Sequence, residues 1–111
     1  MTTHEERIVL NEAVFREVNE RIEDLAESFD VASQPLDLVC ECGDPTCVAR
    51  ITMTQGEYER VRSDGQLFAV APGHETGEIE RVAERRDGYD IVVKKRGAPE
   101  RIAELTDPRD N

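Results

Sequence analysis

Cys40-Glu41-Cys42-Gly43-Asp44-Pro45-Thr46-Cys47 holds all three cysteines of this 111-residue chain. The residues on either side alternate apolar and polar. Leu36-Asp37-Leu38-Val39 leads into the cysteines, and Val48-Ala49-Arg50-Ile51-Thr52-Met53 leads out, with Ala49, Ile51 and Met53 on one face. Alternation on both sides of a Gly-Asp-Pro turn predicts a hairpin of two strands with the thiols at its tip. The rest of the chain must then pack on a small sheet.

An odd number of cysteines fits a disulfide framework poorly. Thiols crowded into one turn fit a metal better, and zinc takes four such ligands in a tetrahedron. Two cysteines at i and i+2 on a flat strand stand too far apart to share an ion, so the backbone must turn. Gly43 allows that turn, and amides within it can donate to the sulfurs. Three thiolates leave one position. His74, in the loop Pro72-Gly73-His74-Glu75, is the candidate, with Glu75 placed to orient its ring. The bland alternative is an ordinary surface histidine, with His4, Asp44, Glu41 or a water as fourth ligand. The predicted set is Cys40, Cys42, Cys47 and His74 around a structural Zn2+. Two other uses of such thiols remain open: a redox disulfide, and an open zinc carrying a water for catalysis. No deaminase motif, His-Glu-x-x-His, phosphate loop or Gly-x-Ser-x-Gly accompanies the cysteines.

From about Glu5 to Phe29 there is no Gly or Pro. Ile8, Phe15, Val18, Ile22, Leu25 and Phe29 recur at helical spacing, with Val14 and Ala26 beside them. Glu12, Glu17, Glu20, Glu23, Asp24 and Glu27 fall opposite, as a solvated face would. Asn11 lies in the apolar seam, where a polar residue can set the register of a helix pair. After a linker over Ser28 to Pro35 come the hairpin and a capping box at Thr54 and Glu57 that opens a short helix. A strand over Leu67 to Ala71, a hairpin turning at Asp87-Gly88 and a short helix from Pro99 to Leu105 complete the chain. The predicted fold is α+β: a long N-terminal amphipathic helix on a small, mainly antiparallel sheet with a zinc knuckle. Residues 1–30 form the helix, 31–106 the zinc-stabilised domain and 107–111 a flexible tail, one domain overall.

Twenty-five acidic residues against 14 basic ones give a net charge of −11. Such a surface repels phosphate backbones and disfavours direct nucleic-acid binding. No apolar run is long enough to span a bilayer, and the polar start is no secretory leader. Reduced thiols and these features point to the cytoplasm.

Several stretches together resemble a family of small, uncharacterised actinobacterial proteins with a CxCxxxxC knuckle and a PGHE loop. They are Asn11 to Ile22, Val39 to Cys47, Ile51 to Arg62 and Phe68 to Glu75. The resemblance implies an actinobacterial cytosolic source, and that knuckle and loop occur together. It supplies no activity. The sequence points to a non-enzymatic adaptor or regulatory module that binds a protein partner, or a second copy, through the N-terminal helix. The alternative is a thiol-based redox or zinc sensor using the same cysteines.

Overall fold

The computed structural model describes residues 3–28 and 35–109. The order of elements is α1 (His4–Ser28), β1 (Leu36–Val39), β2 (Arg50–Met53), α2 (Gln55–Arg62), β3 (Leu67–Val70), β4 (Glu80–Arg86), β5 (Tyr89–Lys94) and α3 (Ala98–Leu105). Phe29, the last residue of the expected apolar stripe, and residues 30–34 of the linker lie outside the described residues. The architecture is α+β.

β1 and β2 form the expected hairpin, with Leu36 opposite Met53 and Leu38 opposite Ile51, all four buried. The other three strands make an antiparallel sheet in the order β3-β5-β4. β4 and β5 join through Asp87-Gly88, where Gly88 adopts a φ of +91° that an L side chain resists. A bulge between Val82 and Glu84 shifts the register of β4. The two sheets share a junction: the Glu41 amide, just beyond β1, donates to the Ala69 carbonyl in β3 at 2.9 Å. The core gathers where they meet, around Leu38, Ile51, Tyr58, Val61, Phe68, Val70, Ile79 and Val92. α2 starts on the predicted capping box, with the Glu57 amide donating to Thr54 Oγ1 at 3.1 Å and the Thr54 amide to Glu57 Oε1 at 2.8 Å. It buries Tyr58, Val61 and Arg62.

α1 seats differently from its hydrophobic pattern. Its 25 residues make a rod of about 37 Å, within a molecule whose longest extent is 42 Å. Ile8, Ile22 and Ala26 pack against the core, as the apolar stripe predicts. The deepest face, however, carries Val9, Glu12, Ala13, Arg16, Asn19 and Glu23. Glu12 and Glu23 therefore do not belong to a solvated face. Leu10, Val14, Val18 and Leu25 are 41%, 60%, 39% and 58% exposed.

A buried carboxylate costs several kcal/mol unless it is paired, and distant partners supply the pairing. Lys94 Nζ in β5 lies 2.6 Å from Glu12 Oε1 and also contacts Glu80 in β4, all three fully buried. Arg16 donates to the carbonyls of Gly65 and Ala103, at 2.6 and 2.8 Å. The Arg16 and Lys94 cations each lie over the Phe68 ring, 4.3 and 4.0 Å from its centre. The stretch expected to form a tail includes two tethered residues: Asp107 pairs with Arg62, and Arg109 donates to Glu20, Glu23 and Glu59 at 2.8, 2.9 and 2.6 Å.

Candidate metal centre

The knuckle is held by its own short hydrogen bonds. Asp44 Oδ1 accepts from the Thr46 amide at 2.9 Å and the Thr46 hydroxyl at 2.7 Å, and the Cys47 amide returns to the Asp44 carbonyl at 3.1 Å. This brings Cys47 back beneath Cys40 and Cys42. His74 arrives from the loop after β3, where its amide donates to the Ala71 carbonyl at 3.0 Å. Gly73 precedes it at a φ of +82°. The Gly73 amide donates at 3.2 Å to Asp90, a buried carboxylate that also takes Arg85 at 3.0 Å. Asp90 thus fixes the loop that presents the histidine, though nothing in its local sequence marks it for that task.

Ligand atoms of Cys40, Cys42, Cys47 and His74 lie within 4.8 Å of one another. His74 Nδ1 is 3.6 Å from Cys40 Sγ and 3.6 Å from Cys47 Sγ. A tetrahedral zinc with ordinary Zn–S and Zn–N bonds requires a sulfur–nitrogen separation of about 3.6 Å. All three cysteines are free, Cys40 and Cys42 buried and Cys47 half-buried, while His74 is exposed. The site therefore sits at the surface with two sulfurs turned inward. The four predicted ligand residues come together and could hold a metal ion.

Burial pushes the Cys40 thiol up, and the Ala71 amide, donating to Sγ at 3.1 Å, opposes the shift. Burial also raises Cys42, opposed by the Asp44 amide. These two amides fulfil the expectation that backbone donors would face the sulfurs. A bound cation reverses the balance, since it holds coordinating thiols deprotonated.

The other proposed fourth ligands have different employment. His4 Nε2 lies 3.7 Å from Glu78, and Asp44 caps its own turn. Glu41, between Cys40 and Cys42, points to the opposite side. There its carboxylate accepts from Asn19 at 2.8 Å, the Tyr58 hydroxyl at 2.9 Å and the Ala69 amide at 3.0 Å. Glu75 faces Arg85 at 3.8 Å, and no hydrogen bond joins it to the His74 ring among the described residues. Strand alternation carried a signal for Glu41, because neighbours of a residue on one face belong to the other.

Gly43 lies at the expected bend and also has a second role. Its φ is not in the left-handed region. A side chain there would instead strike α1, its Cβ 2.3 Å from Ile8 Cγ2. Beside this contact Asn11 Nδ2 donates to the Gly43 carbonyl at 3.4 Å. The first turns of α1 rest directly on the knuckle.

Fold and site together define an α+β chain with a Cys3His cluster at the junction of its two sheets. No family model, curated protein or solved structure matches the chain. No helix among the described residues is long and apolar enough to cross a membrane.

Proposed function

We propose that this chain is a zinc-stabilised, non-enzymatic protein-interaction module of a reducing compartment. One observation carries the reading: four borderline-soft ligand atoms from a local knuckle and a distant loop converge within 4.8 Å of one another, with two sulfur–nitrogen separations at the 3.6 Å a tetrahedral zinc requires. Thiolate donors favour zinc over magnesium or calcium, which take oxygen. Four protein ligands fill a tetrahedron, leaving no position for a substrate or reactive water, so the metal acts as a staple. The interaction surface is then the part of α1 that its own core leaves uncovered.

Metal content and metal retention test the reading. The purified chain should carry one zinc per molecule, measured by plasma mass spectrometry. His74→Ala should lose most of it on dialysis against a mild chelator, whereas His4→Ala should retain it. Equal retention by the two variants would remove His74 from the ligand set. A chain that binds no zinc with its thiols reduced would sink the reading.

A further inference from the structure

Among the described residues, the one sizeable apolar surface left uncovered on a regular element is a stripe of α1. Leu10, Val14, Val18 and Leu25 fall within an arc of about 80° at 100° per residue. Arg7 and Arg21 lie in the same arc, with Glu17 at its edge. We propose that this stripe pairs with the same stripe of a second copy, the two α1 helices running antiparallel about a two-fold axis that passes between Glu17 and Val18. The inference names the occupant of the surface assigned above and rests on that reading.

Three observations favour a second copy. About that axis Leu10 falls opposite the second copy's Leu25, and Val14 opposite the aliphatic stem of its Arg21, so the contact line stays apolar. A two-fold interface requires such matching of a patch with itself. Charge agrees. Arg21 pairs with Glu17 on its own helix at 3.4 Å, both side chains being largely exposed. Across the axis each Arg21 would lie about one turn from the other copy's Glu17, so both ion pairs can form between helices. Finally, two copies of charge −11 repel least where their facing surfaces carry cations. The same two arginines oppose a basic partner helix. An acidic protein with so narrow an apolar arc is also ill-suited to an anionic bilayer.

One helix pair of this length falls short of the roughly 800 Å² per partner of a standard interface, so the dimer should be weak and dissociate on dilution. The test is sedimentation equilibrium of the zinc-loaded full chain from low micromolar to millimolar concentration. Zinc content, helicity and chelator response are followed on the same samples. Dimer should accumulate with concentration. Val14→Glu with Val18→Glu should weaken it at least about tenfold at unchanged helicity. Arg21→Glu and Glu17→Arg should each weaken it, and the two together should restore it. A strict monomer, a dimer indifferent to the valine changes, or a double swap no better than either single overturns the pairing. A monomer that still needs zinc to fold defeats the pairing alone. A dimer whose fold ignores zinc removal defeats the staple and leaves the pairing standing.

Discussion

Glu23 on α1 is 2% exposed and lies against the carboxylates of Glu20 and Glu59, which Arg109, donating at 2.9 Å, partly offsets. Burial, reinforced by Glu59, pushes its carboxyl up from 4.5 to about 7. The sign follows: a native state that keeps a proton which the unfolded chain releases loses stability as pH rises from the unfolded value to the folded one. Glu23→Gln keeps the shape without the titration. Its melting temperature relative to the parent should climb between pH 4.5 and about 7 and level off above. Thermal melts at half-unit pH steps check this, and parallel curves would exclude Glu23 as the titrating group. Glu12 behaves alike in direction, raised by burial and by Glu80 while Lys94 opposes it. None of this was legible locally. Residues 12, 80 and 94 meet only after the chain has folded, and a glutamate among glutamates on a helix reads as a wet one.

Elements were more legible than their seating. The capping box, the Asp87-Gly88 hairpin and the strands around the cysteines follow from turn chemistry and period-2 alternation, which are local. α1 was legible as a helix for the same reason. Which face it buries was not, because periodicity assumes that apolar residues go inward, and here polar partners from β4, β5 and the C-terminal residues draw the charged face in. The cysteine spacing marked three residues of the cluster and the Pro-Gly-His loop the fourth, but Asp90 and Ala71, which position them, carry no motif. α1 and the knuckle make a joint prediction. Gly43→Ala should destabilise by about 1–3 kcal/mol through overpacking against Ile8. Adding Ile8→Ala, which removes the struck methyl, should make the pair cost less than the sum of the singles. Urea denaturation of the four proteins gives the cycle, and simple additivity would mean that the two residues do not press on each other.

For the whole molecule, a metal held by Cys47 and His74 would close a loop of 27 residues and tie the β1-β2 hairpin to the end of β3. Cross-linking a loop of that size is worth about 3–4 kcal/mol through the unfolded chain alone. That is a large share of the 5–15 kcal/mol that hold a typical domain together. Removing the metal with EDTA under reducing conditions should therefore lower the melting temperature by roughly 10 °C or more. Differential scanning calorimetry measures it, and an unchanged transition in a sample proven metal-free would show that the ligands do not staple the sheets. The junction is also held by the Glu41–Ala69 backbone hydrogen bond, by the Glu41 carboxylate on the Ala69 amide and by the shared apolar core, so the fold should weaken rather than vanish when the metal is removed.

The order of the four clustered residues along the chain bears on how the protein is made. Cys40, Cys42 and Cys47 leave the ribosome together, and His74 follows 27 residues later. At about 5–20 residues per second, the three sulfurs wait between about one and five seconds for the imidazole that joins their cluster. α1 has by then emerged entire, and Ile8 can already find Gly43. During synthesis, then, the helix that rests on the knuckle in the folded chain is available to those thiols before the histidine is.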